Sequence, residues 1–138
     1  MEHSFPVRVE WVNGRQVVVG VLGKRPLRVG APPEFDPDAD PTVWSPEDLL
    51  CSALATCVAV TLTGQAAKRE VPIVDLGVAV TGTVEREFTG FDVEIDFVTE
   101  PGFEPQAEIC VERAQHCLVS DALDVPVRYA VRMRELSR

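Results

Sequence analysis

No run of basic residues stands out in this sequence. Lysine and arginine total 13 against 22 aspartates and glutamates, a formal charge of −9. Affinity for nucleic acid comes mainly from clustered cations on phosphates, so this balance argues against a nucleic-acid partner. The arginines of "VRYAVRMRELSR" alternate along an expected strand instead of clustering. The N-terminal "MEHSFPVRVEW" has no basic stretch leading into an apolar one, so no signal peptide is expected. The longest apolar run, Leu49 to Leu62, is broken by Ser52, Thr56 and Thr61. It falls short of the roughly 18 residues that suggest a membrane span. The expectation is a cytoplasmic protein with no membrane partner.

In the cytoplasm thiols stay reduced unless they do redox chemistry. The four cysteines therefore read as thiols, not as a structural staple. No Cys-x-x-Cys is present. His116 and Cys117, adjacent on an expected helix, point about 100° apart, which disfavours both a metal site and a Cys–His nucleophile pair. No internal repeat or low-complexity tract is visible.

What remains is an ordinary globular balance, 46 % apolar and 25 % charged over 138 residues, the size of one domain spanning 1–138. Val7, Val9 and Trp11 alternate with Arg8 and Glu10, and Asn13-Gly14 is a strong hairpin signal with "RQVVVGV" as the returning strand. "PLRVG" predicts a third strand and the proline-rich "APPEFDPDADPTVW" a loop. Ser45-Pro46-Glu47-Asp48 predicts a helix start: Ser45 caps, Pro46 fits the first turn, and two acids face the positive end of the dipole. That helix runs to Gly64 or on to Lys68-Arg69. "VDLGVAVTGTVERE" and "FDVEIDFVTE" predict a second hairpin turning at Thr89-Gly90. "EPQAEICVERAQHCLV" predicts a second helix, "SDAL" a short turn or helix, and "PVRYAVRMR" a last strand. The order is β-β-β-α-β-β-α-β, an α+β fold with largely antiparallel sheets.

The first helix has no polar stripe across its middle, so it should be enclosed by protein on all sides. A small domain cannot easily surround it alone. A second copy of the chain is the expected cover, making a homodimer.

Within that helix lies Cys57, ten residues or about 15 Å beyond Glu47. There the helix dipole no longer acts, and apolar surroundings alone would leave the thiol inert. A reactive Cys57 needs a cation from elsewhere in the fold. Cys117 is expected at the end of the second helix, near the negative pole, which disfavours a thiolate. As a pair, Cys57 would attack and Cys117 would resolve. Helices packed roughly 8–10 Å apart bring facing residues within disulfide range. For Cys51 and Cys110 the expected role is core filler. Asp36, Asp38, Asp40 and Glu47 match EF-hand positions, but Pro41 stands where a glycine must turn, so these acids read as a solvated loop.

"WSPEDLLCSALATCVAVTL" followed by "ERAQHCLVSDAL" and a closing strand resembles the OsmC/Ohr family of organic hydroperoxide reductases. The resemblance rests on PEDLL opening one helix, ALATC inside it, and Cys-x-Val-Ser-x-x-Leu closing the second. It implies an intertwined homodimer, with antiparallel sheets around two central helices and active sites at the subunit interface. It makes Cys57 the peroxidatic cysteine and Cys117 the resolving one. Glu47 would pair with an arginine that activates the thiol, plausibly across the dimer. Arg15, in "NGRQ", is the expected arginine, with Arg28 and Arg25 as alternatives. The implied activity reduces alkyl or lipid hydroperoxides to alcohols without metal or prosthetic group, recycled by a lipoylated protein or dihydrolipoamide. The alternative is a non-catalytic dimeric module that binds a small apolar ligand.

Overall fold

The computed structural model describes residues 2–137. The elements run β1 (Arg8–Asn13), β2 (Gln16–Gly20), β3 (Leu27–Gly30), α1 (Pro46–Lys68), β4 (Ile73–Val84), β5 (Phe88–Thr99), α2 (Glu104–Ala114), α3 (Leu118–Ala122) and β6 (Val127–Glu135). Two compact units form, Met1–Leu50 and Cys51–Arg138.

In the first unit β1, β2 and β3 make an antiparallel sheet in that order. Its first turn is the expected Asn-Gly hairpin. Gly14 has φ +49°, a conformation that side chains with a Cβ rarely adopt. The Trp11 indole N–H donates to the Gly14 carbonyl at 3.0 Å. β3 closes back on the later loop, where the Gly30 N–H donates to Trp44 O at 2.9 Å. The helix start is a reciprocal cap: Asp48 N–H donates to Ser45 Oγ at 3.1 Å, and Ser45 N–H to Asp48 Oδ2 at 2.9 Å.

The second unit carries the β4-β5-β6 sheet. β4 and β5 pair antiparallel, but β5 and β6 pair parallel, Phe91 with Val127 through Thr99 with Glu135. Three of the four strand pairs are antiparallel, in keeping with the expected largely antiparallel sheets, and the β5–β6 pair is the parallel exception. Parallel neighbours need a long crossover, and α2 with α3 supplies it. The hairpin turn also differs: it lies at Glu85–Glu87, and Thr89 and Gly90 are inside β5. A Cβ on Gly90 would stand 3.1–3.2 Å from the Arg128 guanidinium and Pro126 O, so this glycine admits a neighbour and makes no turn.

Alternation along β5 is clean. Phe91, Val93, Ile95 and Phe97 are buried. On the other face, Asp92 and Asp96 accept from Arg128 and Arg134 across the parallel register. With Leu54, Val58, Leu62 and Ala66 of α1, and Ala107, Cys110, Val111 and Ala114 of α2, the inward face of β5 makes the core of this unit.

The helix α1 runs on to Lys68, the longer of the two expected ends, and by length and composition it is able to cross a membrane. Its fully buried column, repeating every four residues, is what a core helix shows. The opposite face is uncovered within one chain, where Val60 is 69 % exposed.

Candidate active site

Cys57 follows Leu54 by three positions and precedes the buried Val58, which sets it on the flank of the α1 core face, half-buried. Its partner comes from the α2–α3 junction. After Ala114 the backbone leaves the helix: Gln115 is the C-cap, and Cys117 is extended, with φ −75° and ψ 162°. Cys117 is thus the N-cap of α3, buried to 2 % exposure. The serine three residues on explains the break. Ser120 Oγ donates to Gln115 O and Cys117 O, each at 3.1 Å, an alternative to the helical ladder that serines readily take.

The two side chains predicted as a pair are brought into one neighbourhood, where Cys57 helps to lower the Cys117 pKa. All four cysteines are thiols, and no disulfide is formed among them. The Cys117 thiol also donates to Ser120 Oγ at 3.4 Å. Burial pushes the Cys117 pKa up, but hydrogen bonds overcome it. Those from the Ser120 side chain and backbone, the Cys57 side chain and the Val119 backbone leave it below the ordinary thiol value.

This overturns the expectation that Cys117 sits at a negative helix end which disfavours a thiolate. The sulfur instead stands at the N-cap position of α3, with the Ser120 hydroxyl as its hydrogen-bond partner. Tyr129, from β6, completes the surroundings, its hydroxyl donating to Gln115 O at 3.2 Å.

Ser120 and Tyr129 are not among the residues the sequence singled out. Ser120 stands within the Cys-x-Val-Ser motif, and that was its available signal. Tyr129 is the sole tyrosine, and a half-buried phenol must find a hydrogen-bond partner.

Glu47, ten positions before Cys57 on α1, holds one buried carboxylate oxygen, Oε2, with no hydrogen-bond partner among the described residues. The expected Glu47–Arg15 pair is therefore not made within the chain. Arg15 lies exposed in the β1–β2 turn. It borders a cavity of about 320 Å³ that is also lined by Asp36, Asp38 and Asp40. Arg25 and Arg28 are exposed too, and the Arg28 charge acts on Asp40. Asp36 and Asp40 fold onto their own loop, accepting from Asp38 N–H and from the Thr42 N–H and hydroxyl. Among the described residues no group of three or more histidine, cysteine or acidic side chains is arranged to hold a metal.

Cys110 and Cys51 lie elsewhere in the packing. Cys110 is fully buried in α2, and burial raises its pKa against the lowering charge of Arg69. The Cys51 sulfur lies over Gly82, 2.9 Å from where a Cβ would stand, beside the stacked rings of Phe88 and Phe91.

Comparison with known proteins agrees with this architecture. An OsmC-like protein of unknown function from Vibrio cholerae superposes with TM-score 0.81 at 16 % identity, covering 94 % of this chain and 99 % of its own. An OsmC-like protein from Mycoplasma pneumoniae gives TM-score 0.81 at 15 % identity, with 96 % and 99 % covered. An organic hydroperoxide resistance protein from Elizabethkingia anophelis gives 0.70 at 18 % identity, with 99 % of each chain covered. At these identities the likeness is one of fold. A search of curated proteins found no match. The family model for OsmC-like proteins matches residues 39–131, two thirds of the sequence with both cysteine segments inside it, and the chain belongs to that family.

Proposed function

We propose that this protein is a cysteine-based peroxidase that reduces organic hydroperoxides to alcohols. The nearness of the Cys57 side chain to the Cys117 thiol, whose pKa it lowers, carries the reading, because a sulfenic acid on one can condense with the other. The names of several proteins that share the fold, organic hydroperoxide resistance proteins, point the same way.

In this reaction the Cys57 sulfur attacks one peroxide oxygen. The O–O bond breaks, the alcohol leaves, and Cys57 becomes a sulfenic acid. Cys117 converts it to a disulfide, and an outside dithiol, a lipoylated protein or dihydrolipoamide, restores both thiols. The reducing cytoplasm is a suitable setting.

Cys57 needs a cation, and the orphaned Glu47 Oε2 needs a donor. A guanidinium from a second copy, Arg15 before Arg28 or Arg25, would answer both. A dimer also fits the apolar side chains left in solvent. Phe5, Val7, Val9 and Trp11 are 55–86 % exposed, and Val60 of α1 is exposed as well.

Stopped-flow with cumene hydroperoxide and dihydrolipoamide tests the proposal. Cys57→Ser should abolish turnover, and Cys117→Ser should stop at the sulfenic acid. A wild type no faster than free cysteine would sink the proposal. It would favour the second reading, a dimeric module holding a small apolar ligand. Glu47 supports that reading too, since its buried oxygen Oε2 has no hydrogen-bond partner among the described residues.

A further inference from the structure

Ser120 has more acceptors in reach than protons to give. Its oxygen lies 3.1 Å from Gln115 O, 3.1 Å from Cys117 O and 3.4 Å from the Cys117 sulfur. A hydroxyl has one O–H and two lone pairs. While Cys117 is a thiol, its S–H donates to Ser120 Oγ, and the serine proton goes to a carbonyl. Once the sulfur is ionised it can only accept, so the serine proton must swing round to it.

That swing would ordinarily orphan a carbonyl away from water, at a cost of about 1–3 kcal/mol. Here it does not. Gln115 O keeps the Tyr129 hydroxyl at 3.2 Å, and Cys117 O keeps the Asp121 N–H at 3.0 Å. Both carbonyls stay satisfied whichever way the serine points. Tyr129 remains a donor throughout. Burial first, then the charges of Cys117, Asp121 and Cys57, raise its pKa against the lowering hydrogen bond from Ser120.

The geometry points to Ser120 as a hydroxyl rotor, backed by Tyr129, that positions the Cys117 sulfur and holds it as a thiolate against Cys57. Both are positioning residues. The inference rests on the peroxidase reading and deepens it, because it concerns the resolving step. There the Cys117 sulfur attacks the sulfur of the Cys57 sulfenic acid. An S–S bond forms and the S–O bond breaks. The departing hydroxide leaves as water with the proton the Cys117 thiol gave up. Cys117 is oxidised and the sulfenic sulfur reduced to the disulfide level, so no further reagent enters. The titratable groups facing Cys117 are Cys57 from α1 and Tyr129 from β6, with Asp121 of α3 beside the phenol.

Two measurements test it. The first follows thiolate ultraviolet absorbance against pH in a Cys57→Ser background, with the Cys57→Ser/Cys117→Ser protein subtracted. Ser120→Ala should move the Cys117 midpoint upward, Ser120→Thr should restore it, and Tyr129→Phe should move it part of the way. The second keeps Cys57 and traps sulfenic acid with a cyclic diketone after one equivalent of cumene hydroperoxide. Ser120→Ala should leave sulfenic acid formation unchanged and slow its conversion to disulfide roughly tenfold to a hundredfold, the loss of one hydrogen bond to a charged group. A Cys117 midpoint that stays put in both Ser120→Ala and Tyr129→Phe overturns the rotor. Absence of sulfenic acid in Cys117→Ser together with absence of disulfide in the wild type overturns the peroxidase reading alone, since the titration still decides the rotor.

Discussion

Cys110 and Cys117 lie seven residues apart, are equally hidden from solvent, and behave in opposite ways. Cys110 sits inside α2, where backbone N–H groups are committed to the helix, so burial dominates and its pKa rises. Cys117 sits where the helix has broken. Burial opposes ionisation there too, but hydrogen bonds from Ser120, Cys57 and Val119 outweigh it. The difference teaches that burial does not decide whether a cysteine is inert. The decision falls to donors left over by the local backbone.

Three experiments break or sharpen this contrast. The largest effect is expected on turnover with cumene hydroperoxide. Cys117→Ser should lower it by roughly a hundredfold or more, because an oriented intramolecular partner is lost. Cys110→Ser, assayed where it is folded, should keep wild-type turnover. Comparable losses in both would erase the functional contrast.

Stability should reverse the ranking. A hydroxyl in place of the Cys110 thiol enters a fully buried site and should cost about 1–3 kcal/mol in urea unfolding. The same change at Cys117 meets Ser120 and the α3 N–H groups and should cost less. Equal losses would mean the junction offers no better solvation than the helix.

The smallest expected effect is on the pH dependence of stability. Cys117 ionises below 9.0 when folded, so its contribution is complete above 9.0 and is lost as pH falls through the folded thiol's range. Cys110 ionises above 9.0, so its contribution is complete below 9.0 and is lost as pH rises through its folded value. The stability gap between wild type and Cys117→Ser should therefore widen as pH approaches 9, while the gap to Cys110→Ser should shrink beyond it. Parallel gaps across the alkaline range would contradict the opposite shifts.

Where the sequence could be read, a local rule did the work. Ser45 with Asp48 marked the helix start, and Asn13-Gly14 marked the first hairpin, because caps and tight turns are settled by neighbouring residues. Where the reading failed, the cause was a distant partner. Gly90 looked like a turn, yet it makes room for Arg128 from another strand. "ERAQHCLV" kept a helical pattern with no glycine or proline to stop it. The chain nonetheless breaks there, through a serine side chain competing for two carbonyls.

By itself the sequence determined the order of elements and the family, since periodicity, capping residues and motif spacing are properties of short segments. Only the tertiary structure decided that β6 runs parallel to β5 and that Cys117 begins a helix. It also decided that Ser120 and Tyr129 surround that sulfur. Those outcomes depend on which hydrogen-bond donors and acceptors are left unpaired once the chain has folded, and residues far apart in sequence supply them.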